Sequence, residues 1–273
     1  MSSTSFKRTV WNFYRIHGRH DLPWRETYDP YRILVSEVML QQTQVDRVLP
    51  FYQDFIQRFP TAKELAHAPL SDVLKSWQGL GYNRRAKMVH EAARKIAREG
   101  MPKDVAGLEA LPGVGPYTAR AIAAFSYNQD VILVETNIRT AIMHHFFSKK
   151  KKVSDREIEK ILGRVFPKGR SRSWYSALMD YGASLKRSGI KLNAKHSKYV
   201  KQEKFAGSHR EARGAILRAL SRGAQSAAEL TNLLGHERKA QLTRACAALL
   251  LEGMIQKRGR TFVLPRSKNV SYN

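Results

Sequence analysis

The 273-residue sequence contains a single cysteine, Cys246, and no long apolar run, and these shortages exclude several classes of protein. One cysteine cannot form an internal disulfide or supply a site that needs four cysteine ligands. No apolar run reaches the ~18–20 residues that cross a membrane. The N-terminal segment MSSTSFKRTVWNFY also lacks the apolar core of a secretory signal. We therefore expect no membrane partner and a cytoplasmic location.

Acidic residues are also scarce relative to basic ones. The chain has 48 Lys and Arg against 23 Asp and Glu, which gives a formal net charge of +25 at pH 7. Such an excess is typical of proteins that bind a polyanion, with nucleic acid as the first interpretation and an anionic membrane surface as the second. Hydrophobic residues make up 42% of the chain, which argues against a disordered polycation. The composition predicts a globular, nucleoid-associated protein.

The chain divides by composition into three parts. Residues 1–185 show helical spacing of apolar residues, and DVILVE (130–135) is the only convincing extended apolar run there. Residues 186–204 are rich in Lys and Arg, which is also typical of a solvated linker. Residues 205–273 follow the order helix, helix, helix, hairpin, which suggests a winged helix. We predict a mainly α fold with domain boundaries at these positions.

The segment LEALPGVGPYTARAIAAF (108–125) predicts a helix-hairpin-helix. Glycine allows positive φ and close backbone approach, and proline suits the first turn of a helix. The N–H groups that begin such a helix bind phosphate, so we expect Gly113, Val114, Gly115 and Thr118 to contact a DNA backbone. A plain structural turn is the alternative.

Two glutamates are candidate catalytic residues. Glu37 lies in a run of large apolar residues, where a buried carboxyl would have a raised pKa suited to a general acid; a solvent-exposed position is the alternative. Glu135 precedes Thr136 and Asn137, which could cap the next helix, and the helix dipole would hold a carboxylate there ionised. Two carboxyls with separated pKa values suit cleavage of a glycosidic bond, although a capping role alone would also explain Glu135.

Polar and aromatic residues outside these segments add weaker signals for a DNA surface. They occur in LPWR (22–25), in MLQQT (39–43) and in WQGLGYNRRA (77–86), and the candidates for DNA contact are Arg25, Gln41, Gln42, Gly81 and Tyr82.

The order of these motifs closely resembles the MutY-type adenine DNA glycosylases of the helix-hairpin-helix superfamily. The resemblance covers about residues 5–185 through LPWR, SEVMLQQTQV, WQGLGYNRRA, LPGVGPYTARA, VETNIR and ALMDYGA. It implies a two-lobed glycosylase fold with the active site in a cleft, and Glu37 as the residue that protonates adenine N7. It also implies that Gln41 and Gln42 insert at the lesion. Tyr117 replaces the hairpin lysine of the lyase-competent relatives, which implies a monofunctional enzyme.

The sequence departs from the family pattern at two places. Where the family has an aspartate that stabilises the sugar cation, this chain has Glu135. After ALMDYGA the family usually has Cys-x6-Cys-x2-Cys-x5-Cys, which holds a [4Fe–4S] cluster; the same spacing here gives Lys186, Asn193, His196 and Gln202. We therefore predict a clusterless member without a metal cofactor, apart from a monovalent cation that the hairpin could hold.

The basic stretch that replaces the cluster loop is the last candidate DNA contact in this part of the chain. We expect Lys191, Lys195 and Lys198 to bind phosphates. The C-terminal part resembles the winged-helix tail of some shorter MutY-type proteins, and Ser208 and His209 are candidates for a role in reading the lesion.

These expectations define a monomeric DNA-repair glycosylase that removes adenine opposite 8-oxoguanine or guanine in double-stranded DNA. Two alternatives stay open from the sequence. One is a mismatch glycosylase for another base, such as thymine or uracil opposite guanine. The other is a DNA-binding protein in which the change to Glu135 has removed catalysis.

Overall fold

The structure is a computed structural model that describes residues 2–190, 192 and 204–265. Most of these residues are helical, which confirms the predicted mainly α class. The helices before the basic stretch are α1 Ser3–His17, α2 Pro30–Leu40, α3 Val45–Arg58, α4 Ala62–His67, α5 Leu70–Ser76, α6 Arg84–Glu99, α7 Val105–Glu109, α8 Pro116–Tyr127, α9 Thr136–Phe146, α10 Asp155–Val165 and α11 Ser171–Arg187. The later elements are α12 His209–Arg222, β1 Gln225–Ser226, α13 Ala227–Leu234, α14 Lys239–Leu251, β2 Gln256–Arg258 and β3 Thr261–Val263, with short 3-10 turns at Pro23–Arg25 and His236–Arg238.

The first of two compact units combines the described residues up to Glu37 with those from Pro102 to Leu192. Helices α1, α8, α9, α10 and α11 form its core, and α9 packs closely on α11. Large side chains such as Phe6 and Trp174 are fully buried there, and their rings contact each other edge to face. Burial of these apolar faces is the main force that holds the helices together.

The second unit combines the described residues of Val38–Met101 with those from Lys204 onward. Within it α4 packs on α6, and α12 packs on both α14 and α5. The three strands form one antiparallel sheet in the order β1-β3-β2, with Phe262 of β3 opposite Gln225 on one side and Lys257 on the other.

The C-terminal elements follow the predicted order of helix, helix, helix and hairpin. The structure adds β1, a two-residue strand that no sequence pattern indicated. The assignment as a winged helix and the boundaries at residues 185 and 204 stay predictions.

The extended run DVILVE forms no strand among the described residues. Instead the buried hydroxyl of Tyr175 satisfies its backbone, because it donates to the Val131 carbonyl at 2.6 Å and accepts from the Leu133 N–H at 3.1 Å. The run leads directly to Glu135. No helix in the part of the chain that the structure describes is long and apolar enough to cross a membrane.

Candidate active site

Glu37, Tyr117 and Glu135 meet within the first unit. Glu37 lies near the C-terminal end of α2 and is only 7% exposed, between the fully buried side chains of Leu34 and Val38 on neighbouring positions of the helix. The hydroxyl of Tyr117, at the start of α8, hydrogen-bonds to its carboxyl group. The alternative of a solvent-exposed Glu37 is therefore wrong, since the apolar face of α2 carries it inward.

The environment of Glu37 favours the protonated form. Burial raises its pKa from the ordinary 4.5 to about 7, and the negative charge of Glu135 adds to this effect. The Tyr117 hydroxyl and the charge of Arg25 oppose the shift without cancelling it. A carboxylic acid with a pKa near the working pH can hold and donate a proton, which is the property that a general acid needs.

Glu135 is the N-cap of α9. Its Oε1 accepts hydrogen bonds from the backbone N–H groups of Asn137 and Ile138, both at 2.7 Å. The expectation that Thr136 or Asn137 caps this helix is therefore wrong, because the longer glutamate side chain folds back onto the N–H groups itself.

The sequence predicts that Glu135 is held ionised at the start of the helix, and its surroundings act on its pKa in both directions. Burial raises the pKa of this carboxyl, and the two backbone N–H groups, Lys186 and Arg139 oppose the rise. These four donors and charges all stabilise the ionised form, whereas at Glu37 only the Tyr117 hydroxyl and the charge of Arg25 do so. Of the two carboxyls, Glu135 is therefore the one that loses its proton first.

The predicted helix-hairpin-helix consists of α7, a turn and α8, which begins at Pro116 with Gly115 as its N-cap. Gly113 has φ of +74°, so this position favours glycine, whereas Gly115 has an ordinary φ of −94°. A Cβ atom at Gly115 would meet nothing within 4 Å. Among the residues that the structure describes, no side chain caps this end of α8, and its first turn holds no acidic residue. Val114 and Thr118 are buried beside the turn and shape it from inside.

Arg25 has a structural role in the first unit. Its guanidinium forms a salt bridge with Asp180 of α11 at 2.6 Å, and Asp180 is 2% exposed. Arg19 binds the same carboxylate at 2.6 Å. Burial opposes the charge on Asp180, but the two arginines hold its pKa below the ordinary value. A contact between Arg25 and DNA stays a prediction.

In the second unit, a buried arginine that the sequence did not single out holds the segment with Gln41 and Gln42. Arg85 of α6 donates to the carbonyl oxygens of Val38, Met39 and Gln41 at 2.7–2.9 Å. Val38 and Met39 lie in the last turn of α2 and Gln41 follows it, so the guanidinium satisfies carbonyl groups at the C-terminus of the helix. The next residue, Gln42, is exposed and has φ of +55°. The helix end is therefore fixed while Gln42 projects outward.

The second unit also contains a cavity of about 370 Å³. Two parts of the unit line it. The part before α6 contributes Gln42, Thr43, Gln44, Arg47 and the turn 78–83, which includes Gly81 and Tyr82. The C-terminal part contributes Phe205, Arg210, Gly214 and Arg218. The guanidinium of Arg210 lies 5.1 Å from the centre of the Tyr82 ring and donates to the Tyr82 hydroxyl. None of the described residues that line the cavity is acidic.

The remaining predicted DNA contacts lie apart from this cavity or outside the described residues. Ser208 is the N-cap of α12, where its hydroxyl accepts from the Glu211 N–H, and neither it nor the exposed His209 lines the cavity. Lys191, Lys195 and Lys198 lie outside the described residues, so their role stays a prediction.

The residues at the cluster spacing do not fit a [4Fe–4S] cluster. Lys186 points to the side chain of Asn137 at 2.6 Å, and Asn193, His196 and Gln202 lie outside the described residues. Cluster irons are held by thiolates, but Cys246 is buried in α14 of the other unit. Among the described residues, no group of His, Cys, Asp and Glu could hold a metal ion.

Comparison with known proteins relates the chain to a family. Residues 35–168 match the HhH-GPD superfamily of base excision DNA repair proteins. An adenine DNA glycosylase from Mycolicibacterium smegmatis is 36% identical over 264 residues, covering 88% of this chain and 89% of that protein. An adenine DNA glycosylase from Mycobacterium tuberculosis is 50% identical over 129 residues, covering 46% of this chain and 42% of that protein.

Solved structures support the same fold. A thermostable thymine-DNA glycosylase aligns with a TM-score of 0.59 at 24% identity, covering 72% of this chain and 96% of the other. An endonuclease III trapped on DNA aligns with a TM-score of 0.55 at 18% identity, covering 69% and 87%. At these identities the likeness shows the fold alone. With the sequence match to the mycobacterial protein, it follows that the chain belongs to the adenine DNA glycosylases of the HhH-GPD superfamily.

Proposed function

We propose that this protein is a monofunctional DNA glycosylase that hydrolyses the N-glycosidic bond of adenine mispaired with 8-oxoguanine or guanine. The observation that carries the proposal is the buried Glu37, whose carboxyl has a pKa of about 7, beside Tyr117 and Glu135. Membership of the adenine DNA glycosylases supports adenine as the base.

The chemistry divides between the two carboxyls. Protonated Glu37 gives its proton to adenine N7, so that the electrons of the C1′–N9 bond leave with a neutral adenine. Positive charge then develops on the sugar, and the carboxylate of Glu135 stabilises it. A water oxygen bonds to C1′ and its proton returns to Glu37, which leaves an abasic site and the enzyme in its starting state.

The hairpin would hold the strand while the adenine is out of the helix. An adenine inside the duplex is not accessible, so the nucleotide must be extruded. The open space before Gly115 and the uncapped N-terminus of α8 suit a phosphate oxygen. We propose that the hairpin binds the backbone next to the extruded nucleotide.

The cavity of the second unit supports a preference for 8-oxoguanine. Its volume of about 370 Å³ lies within the common range for ligand sites. Compared with guanine, 8-oxoguanine carries an extra carbonyl oxygen, an acceptor that a guanidinium recognises. Arg210 is held over Tyr82 at the cavity wall and is the donor in our proposal.

The proposed reaction is tested with a panel of duplexes that each contain one mispair. We expect alkali-labile sites opposite 8-oxoguanine and guanine only on the adenine strand, and no covalent adduct after borohydride treatment. Release of thymine or uracil with adenine untouched would show that the substrate is wrong. A trapped adduct would show that the enzyme is not monofunctional.

We expect Arg210→Met to lower the ratio of adenine excision opposite 8-oxoguanine to excision opposite guanine by about tenfold, roughly 1.4 kcal/mol. The guanidinium is lost while the length of the side chain is kept, so excision opposite guanine should change little. Single-turnover rates on both duplexes measure the ratio. Arg222→Met, at the exposed end of the same helix, is the control, and an unchanged ratio in Arg210→Met would refute the assignment of the cavity.

A further inference from the structure

Helix α11 approaches the N-terminus of α9 unusually closely. A Cβ atom at Gly182 would overlap the backbone carbonyl of Asn137, so only glycine allows this packing. Lys186 follows Gly182 by four residues and lies on the same face of α11. The close approach therefore delivers the Lys186 side chain to the first turn of α9, where Glu135 is the cap.

Lys186 makes specific contacts there. Its Nζ donates to Oδ1 of Asn137 at 2.6 Å, and its charge interacts with that of Glu135. The backbone N–H of Asn137 in turn donates to Glu135 at 2.7 Å. One residue, Asn137, thus binds the lysine through its side chain and the glutamate through its backbone.

Two cations lie near Glu135, and one of them already has a carboxylate partner. The groups that face Glu135 come from each surrounding element: Glu37 of α2, Tyr117 of α8, Arg139 of α9 and Lys186 of α11. Arg139 forms a salt bridge with Asp155 of α10 at 2.8 Å. Among the described residues Lys186 forms no such direct salt bridge, so its ammonium is the cation whose charge remains available to Glu135.

We propose that Lys186 is a positioning residue for the proposed glycosylase reaction: its ammonium fixes the side-chain amide of Asn137 and keeps the Glu135 carboxylate charged. Partial burial of the Lys186 ammonium costs desolvation free energy. The hydrogen bond to Asn137 and the attraction to the charge of Glu135 offset this cost. Lys186 stands where the family pattern has its first cluster cysteine. In this chain the residue at that position instead supports the active-site carboxylate of Glu135.

The inference rests on the proposed function, and the test separates the two. Single-turnover excision from an adenine·8-oxoguanine duplex is measured against pH for the parent and for Lys186→Met, Lys186→Gln and Lys186→Arg. The exposed neighbour supplies the control Arg187→Met. Binding is measured with a duplex that carries 2′-fluoro-2′-deoxyadenosine, which resists cleavage.

We expect Lys186→Met to lower the rate about 10- to 100-fold at neutral pH, with binding within about twofold. Without the ammonium the pKa of Glu135 rises further, so the acidic limb of the pH profile moves to higher pH. Lys186→Gln keeps a donor without the charge and should show the same move of the limb. Lys186→Arg should restore most of the rate and the parental profile.

Two results would overturn the inference. Rates that fall equally at every pH in Lys186→Met and Lys186→Gln would show a merely structural role. A borohydride adduct of the parent that is lost in Lys186→Arg would show that Lys186 is a nucleophile. Absence of adenine excision by the parent protein would instead refute the proposed function and not the role of Lys186 alone.

Discussion

Glu37→Gln is expected to lower adenine excision by at least about 10²-fold, and up to about 10⁴-fold, because it removes the only proton that the buried carboxyl can give to the base. The amide keeps the shape of the side chain and can still bond to the Tyr117 hydroxyl. Single-turnover rates on an adenine·8-oxoguanine duplex measure the loss. The remaining activity should lack the alkaline limb, which in the parent reports ionisation of Glu37 near pH 7.

The same variant should keep its affinity for the uncleavable duplex, and its stability gives a second control. The folded-state pKa of Glu37 is about 7, above the ordinary 4.5, so the folded protein binds this proton more tightly than the unfolded chain. Stability from this group is complete below about pH 4.5 and is lost as the pH rises through 7. At pH 8 we therefore expect a higher Tm for Glu37→Gln than for the parent. Excision at the parental rate would exclude Glu37 as the general acid.

The candidate site could be predicted from sequence where its residues act within one short segment. Glu37 is surrounded by Ile33, Leu34 and Leu40 on its own helix, so burial followed from helical spacing alone. The hairpin followed from glycine and proline chemistry, and α8 does begin at Pro116. In both cases the property depends on neighbours within about one helical turn.

Contacts between distant segments were not predictable in the same way. Arg85 donates to carbonyls at the C-terminal end of α2, which lie 44–47 residues earlier in the sequence. Lys186 donates to Asn137, which lies 49 residues earlier. An arginine or lysine in a basic chain gives no signal that distinguishes such a contact from a solvated charge. Gly182 was the available hint that another segment packs closely on α11. Glycine within a helix costs stability, so its presence there is explained by such close packing.

The C-terminal part shows a similar limit. Its order of elements was readable from spacing, but the residues that line the cavity were not, and Arg210 rather than Ser208 or His209 faces Tyr82. Serine before a helix is a strong capping signal, and Ser208 does serve as the N-cap of α12. Which face of that helix meets the turn at Gly81 is decided by tertiary packing.

Glu135→Gln is expected to reduce excision about 10²- to 10³-fold while leaving the fold and DNA binding nearly intact. The variant keeps an oxygen that can accept from the N–H groups of Asn137 and Ile138, so the cap of α9 survives. Only the negative charge that stabilises the sugar cation in the proposed mechanism is removed. Rates are measured on the adenine·8-oxoguanine duplex and affinities on its uncleavable analogue, with Tm as the control for folding.

Glu135→Asp separates the cap from the charge. Aspartate is also a good N-cap, so stability should be close to that of the parent. Because aspartate is one methylene shorter, its carboxylate reaches about 1.5 Å less far toward the sugar, and such a displacement costs about 10²-fold. We therefore expect Glu135→Asp to excise adenine more slowly than the parent. An aspartate variant that is active where the parent is inert would show that the change to glutamate had removed catalysis. Parental rates in Glu135→Gln would show that Glu135 is a helix cap alone.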